Sequence, residues 1–158
     1  MKGKKLKLGF VSFEQKDGKF RGYLPMEFAL GNEKEPEILL KKATEIYEDS
    51  VSKMISIVSE IKKSRANRNT VAARKIWKLG NAIFKLRDEL EEIGLEIDGI
   101  YDHLTRDLKV KRKWLEKVII FRRYIPSINL IPESLNWGRC EKSTRRKAER
   151  LKSGLPLS

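Results

Sequence analysis

The chain has 158 residues, a length that suits one domain or one domain with an appendage. Hydrophobic residues make up 40% of it, enough for a modest core but not for a large enzyme with a deep pocket. Lys and Arg outnumber Asp and Glu 35 to 22, for a formal net charge of +13, so the favoured partner is a polyanion: nucleic acid first, an anionic membrane surface second, an acidic protein third.

No apolar run approaches the roughly 18 residues that would span a bilayer, so no membrane insertion is expected. The opening MKGKKLKLGFVSF is basic and then apolar. Its apolar part is short, alternates with polar residues and lacks a small-residue cleavage site, which argues against a signal peptide. The single cysteine, Cys140, rules out an internal disulfide and fits a reducing cytoplasm. Gln15 is the only glutamine among many Lys, Glu, Arg and Ile, a balance resembling that of heat-adapted proteins.

In chain order, Leu6, Leu8 and Phe10 alternate with Lys7, Gly9 and Val11. Lys16-Asp17-Gly18-Lys19 supplies turn chemistry, Phe20 to Leu24 can return as a partner strand, and Pro25 ends the pairing. This predicts a small β-hairpin arm over 1–33. A lone hairpin is marginal in water, so it must pack on the helices or on a second copy.

Pro36 opens a helical pattern to about Lys63, with Leu40, Tyr47, Met54 and Ile61 on one row and Thr44, Val51 and Val58 on the other. A second pattern runs from about Thr70, a candidate N-cap, to Ile93, with Gly94 as the stop. Its rows are Ala72, Leu79, Leu86 and Ile93, and Ile76, Ile83 and Leu90. The short polar link 64–69 makes these an antiparallel helical hairpin over 34–94. Ile38, Ile46, Ile55, Ile57, Trp77 and Phe84 lie off the seam and need further cover. Two covers remain open, a homodimer through the long helices and a monomeric bundle.

Residues 95–158 read as a helix-turn-helix-type basic region, and 34–158 as one compact domain. Tyr101 to Leu108 and Lys111 or Arg112 to Arg123 form the two short helices. Leu104, Leu108, Val110, Leu115 and Val118 occupy the inward positions. Lys109 stands where such turns usually carry Gly, which puts a side chain on a left-handed backbone, and Thr105 replaces the usual Ala or Gly. The plainer alternative is a helical hairpin with a lysine-rich solvated face.

The outward positions of the second helix are Lys111, Arg112, Lys113, Glu116, Lys117 and Ile120. Three cations at a helix start oppose the dipole, a repulsion that a phosphate backbone would relieve. Lys111, Arg112, Lys113 and Lys117 are expected at the major groove, with Arg122, Arg123, Arg146 and Arg150 on phosphates. Upstream, residues 87–102 are locally acidic, so charge is segregated along the chain. Downstream, Trp137, Cys140, Thr144, Ala148 and Leu151 share one helical face, while Arg139, Lys142, Arg146 and Arg150 share the opposite one, so Arg139 and Lys142 extend the expected nucleic-acid footprint to ten residues. Gly138 invites a break. Trp77, Trp114 and Trp137 read as core or semi-core.

Most catalytic and metal-binding signatures are missing. His103 and Cys140 are single residues of their kinds, too few for a zinc site, and no Gly-rich phosphate loop occurs. Glu14-Gln15-Lys16 lacks an upstream acid and Glu60-Ile61-Lys62 lies on a predicted helix, so neither supplies the acid-x-Lys of a metal-dependent nuclease. Gly99-Ile100-Tyr101 and Tyr124-Ile125-Pro126 sit too far apart, with Pro as the last residue, for a GIY-YIG nuclease.

Trp77-Lys78-Leu79-Gly80, Leu104-Thr105-Arg106-Asp107-Leu108, Phe121-Arg122-Arg123 and Leu135-Asn136-Trp137 follow one another through the last half of the chain. In this order they resemble the winged-helix-like amino-terminal module of an uncharacterised bacterial and archaeal family often joined to a PD-(D/E)XK-type nuclease. The resemblance implies DNA association in mobile-element or defence biology. It does not imply nuclease activity, since the chain ends where that module would begin. The expectation is a mainly α, non-enzymatic protein that binds double-stranded DNA without cofactor or metal. A helical interaction or oligomerisation protein with a basic solvated surface is the alternative, and RNA is the third-ranked partner.

Overall fold

In a computed structural model of the protein, the described residues are 10–14, 21–25, 36–94, 96–98 and 100–157; side chains are described for 41–94 and 100–157. The architecture is mainly helical. Five helices lie among the described residues: α1 (Pro36–Ala66), α2 (Ala73–Glu92), α3 (Ile100–Leu108), α4 (Arg112–Tyr124) and α5 (Thr144–Lys152). Of the hairpin arm expected over 1–33, only Phe10–Glu14 and Arg21–Pro25 are described, as extended backbone. Its turn and all its side chains lie outside the described residues, and the fold rests on the helices.

α1 and α2 pack along each other through the heptad rows. Tyr47, Val51, Met54, Val58 and Ile61 on α1 are buried, as are Ile76, Leu79, Ile83, Leu86 and Leu90 on α2. Ala43 is fully buried as well. Thr44 and Ile93 are half-buried, and Ala72 is exposed.

The start of α2 differs from the expectation. Thr70 is not its N-cap; the cap position is Ala72, which offers no side-chain acceptor. The cause is tertiary. Trp137 donates its backbone N–H to the Val71 carbonyl at 2.7 Å, and Ala73 donates to the Leu135 carbonyl at 2.9 Å. This bridge holds 71–73 extended against Asn136 and delays the helix. Gly94 does end α2, at φ +79°, a left-handed conformation that glycine adopts without a Cβ penalty.

α4 is the central helix, packed against α2 on one side and α5 on another. Leu115, Val118, Ile119 and Phe121 are buried, and Phe121 meets Trp137 edge-on with centroids 5.2 Å apart. The α2–α4 approach is closest at Gly80. A Cβ there would fall 2.6 Å from the Arg122 Cβ and 3.0 Å from the Val118 carbonyl oxygen, so a larger residue would push the helices apart. Trp77 donates its indole N–H to the Ile125 carbonyl at 2.8 Å, tying α2 to the end of α4. Tyr47 donates its hydroxyl to Asp107 at 2.7 Å, tying α1 to α3.

Beyond α4 the chain turns through two short 3-10 segments, Ile128–Leu130 and Trp137–Arg139, before α5. Trp137, Cys140, Thr144, Ala148 and Leu151 are all buried although no single helix carries them. One cluster of buried residues runs from Ala43 to Leu157. None of the described helices is long and apolar enough to cross a membrane.

Candidate nucleic-acid interface

α3 and α4 are joined by Lys109, Val110 and Lys111. Lys109 has φ +56°, and the Val110 N–H reaches back to the Thr105 carbonyl at 3.1 Å. A left-handed residue followed by this six-to-one bond is the Schellman way of ending a helix, with Lys where Gly is usual. The left-handed backbone costs a non-glycine residue about 1 kcal/mol. Leu104, Leu108, Leu115 and Val118 are buried beneath the turn, and Val110 packs against the core. The apolar stripe read from the sequence therefore closes one helix pair, although Thr105 stands where a smaller residue was expected.

The embedding of α4 narrows its free face. Arg112, Lys113, Glu116 and Arg123 are exposed, whereas Lys117 and Ile120 are half-buried. Two of the ten residues expected to meet nucleic acid turn out to hold the fold. Arg122 is not a surface cation. Its Nε donates to the Asn81 side chain at 2.9 Å, and its guanidinium lies 4.9 Å from the ring centroids of both Trp77 and Phe84. It covers the apolar residues that the helical hairpin alone left open, and burial lowers its pKa, opposed by nearby Asp88. Arg150, half-buried, donates its Nε to the Pro156 carbonyl and fastens the tail.

Arg112 is drawn back toward α3. It pairs with Asp102, and with Glu116 at 3.3 Å, and its guanidinium lies 5.9 Å from the Tyr101 ring centroid. Its charge is thus largely compensated. Lys113, Lys117, Arg123, Lys142 and Arg146 have no carboxylate within ion-pair distance among the described residues.

Comparison of the chain with protein-family models, curated proteins and solved structures finds no match. The resemblance noted above rests on its four short motifs.

The fold adds cations that periodicity did not single out. Arg145 lies 5.0 Å over the Tyr124 ring, bringing the first turn of α5 to the last turn of α4 beside Arg123. Glu149 compensates part of its charge at 3.6 Å. Arg139, exposed, precedes α5, and its carbonyl accepts from Lys147 Nζ at 2.6 Å. At the other end of α4, Lys109 and Lys111 share a surface with Lys62 and Arg65 from the end of α1. Only the tertiary pairing of α1 with the α3–α4 turn could have shown that second group. Among the described residues, no group of three His, Cys, Asp or Glu side chains is arranged to hold a metal ion.

Proposed function

We propose that the protein binds double-stranded DNA without catalysing a reaction, through the α3–turn–α4 unit. The supporting observation is that four cations of that unit and its neighbour are exposed and free of carboxylates among the described residues: Lys113 at the start of α4, Arg123 at its end, and Lys142 and Arg146 around the start of α5. Because α2 and α5 flank α4, the helix does not lie lengthwise in a major groove. Its amino-terminal end, with Lys111 and Lys113, approaches the groove, and Arg123, Arg139, Lys142 and Arg146 meet flanking phosphates. An amino-terminal hairpin arm, and a setting in mobile-element or defence biology, belong to this reading.

The test is a double charge reversal at exposed residues that make no ion pair among the described residues, Lys113→Glu with Arg123→Glu. Duplex binding, followed by gel shift or fluorescence anisotropy at two salt concentrations, is expected to fall steeply. The log–log salt slope should shrink by about 0.9 for each phosphate no longer neutralised. Thermal unfolding should stay unchanged. Unaltered affinity in a folded variant would refute the reading. The second reading, a helical interaction protein, draws on Ile55, which is 46% exposed at the groove between α1 and the end of α3. A salt-insensitive oligomer that ignores both DNA and RNA in sedimentation would favour it.

A further inference from the structure

Where the end of α1 meets the α3–α4 turn, the surface folds in to form a cleft of about 280 Å³. Val58, Ile61, Val110 and Trp114 supply its apolar lining, and Lys62, Arg65, Lys109 and Lys111 supply four cations. Its volume is near the lower edge of the roughly 300–1,000 Å³ usual for ligand sites, so its occupant would be small.

Three features give the cleft a sign. First, the acids near it are few. Glu141 reaches Arg65 only at 3.8 Å, and Asp107, in an adjoining groove, is held by Tyr47 and Arg106. Second, Lys62 spends one donor on the Lys109 carbonyl at 2.8 Å, which leaves two of its three ammonium hydrogens. Third, Lys111 is the N-cap of α4 and offers no side-chain acceptor to the first-turn N–H groups, which already favour negative charge. The Arg65 guanidinium lies 5.5 Å over the Trp114 ring, which sets a further cation against the apolar wall.

We propose that this cleft binds a small organic anion, with a short aliphatic or aromatic body against Val58, Ile61, Val110 and Trp114 and a single carboxylate or phosphate head among Lys62, Lys109 and Lys111. A bare anion would gain nothing from the apolar lining, and a neutral body would leave the cations unused. The ligand must therefore carry both parts. Occupancy would place a negative charge at the amino-terminal end of α4. That gives a route by which a metabolite could weaken phosphate binding there, but the cleft itself does not depend on the DNA reading.

The experiment uses the full chain without nucleic acid. Octanoate, octanamide, octyl phosphate and inorganic phosphate are titrated by calorimetry and by chemical-shift mapping. Octanoate or octyl phosphate should bind about tenfold or more tighter than octanamide and than inorganic phosphate, which is one charge interaction's worth of affinity. Which head group binds better separates a carboxylate ligand from a phosphate ester. The double variant Lys109→Gly with Lys111→Gln should lose most of that preference while remaining folded, since Gly suits the left-handed backbone at 109. Three results would overturn the proposal: no shift at millimolar octanoate and octyl phosphate, equal binding of octanamide, or inorganic phosphate binding as tightly as the amphiphiles. Retained preference in the folded double variant would overturn the assignment of the head group.

Discussion

Arg122 and Arg123 are adjacent in sequence and opposite in environment, so truncating each separates packing from binding. Arg122→Ala removes a charged hydrogen bond to Asn81 and the guanidinium cover over Trp77 and Phe84. The hydrogen bond contributes about 1.5 kcal/mol. The two ring interactions contribute about 0.5–1 kcal/mol each at a partly solvated site. Its second donor, Nη1, is 3.5 Å from the Ile125 carbonyl, the limit of a hydrogen bond, and is left out of the sum. The total is about 2.5–3.5 kcal/mol, and for a chain this size it lowers Tm by about 5–14 °C. Arg123→Ala removes an exposed side chain and should change stability by less than about 0.5 kcal/mol. Arg122→Lys should not restore stability, because an ammonium lacks the planar fork that stacks and reaches Asn81 together. Circular dichroism melts of the three variants decide the matter. Equal melting of the Arg122 and Arg123 variants would refute the structural role assigned to Arg122. In binding assays run well below the melting range, the pattern should invert, with the salt slope reduced in Arg123→Ala and retained in Arg122→Ala.

Other outcomes follow from the same packing. Gly80→Ala sets a helix-propensity gain of about 1 kcal/mol against an overpacking cost of about 1–3 kcal/mol at a 2.6 Å approach. Since the 3.0 Å neighbour is backbone, the cost should win, and a raised midpoint in urea unfolding would refute the close approach. Tyr47→Phe removes the hydroxyl that ties α1 to Asp107 and should cost about 1–2 kcal/mol, read as a lower urea midpoint with an unchanged m-value. Burial pushes the Cys140 thiol up to about 11, so the folded protein should resist a thiol reagent at pH 8 and react fully once unfolded. The folded thiol holds its proton more tightly than the unfolded one. Stability should therefore fall as pH rises from the ordinary thiol range to about 11, and Cys140→Ala should remove that part of the slope.

Much of the fold was legible in the residues, because burial on a regular helix leaves a periodic trace. The two heptad-patterned helices, the glycine stop at Gly94, the short helix pair over 100–124 and the buried row from Trp137 to Leu151 were all readable from apolar spacing. The delayed start of α2 was not. Thr70 is a good N-cap by composition, but the pairing of Val71 and Ala73 with a segment more than sixty positions away wins over it. The candidate interface was legible only as a set of cations. Sequence spacing says that a side chain faces outward; it does not say whether an acid, a ring or a carbonyl waits there.

What the sequence by itself determined is the helical class, the charge excess and the identity of the inward-facing residues. These depend on composition and on the 3.6-residue period, which act locally. What only the tertiary structure decided is which cations are spent. Arg112 is compensated by Asp102 and Glu116, Arg122 is turned onto Trp77 and Phe84, and Arg150 is tied to the tail, whereas Lys62, Arg65, Lys109 and Lys111 are gathered from two helix ends into one cleft. Long side chains reach several ångströms, so their partners are set by how helices distant in sequence are packed and not by neighbours along the chain.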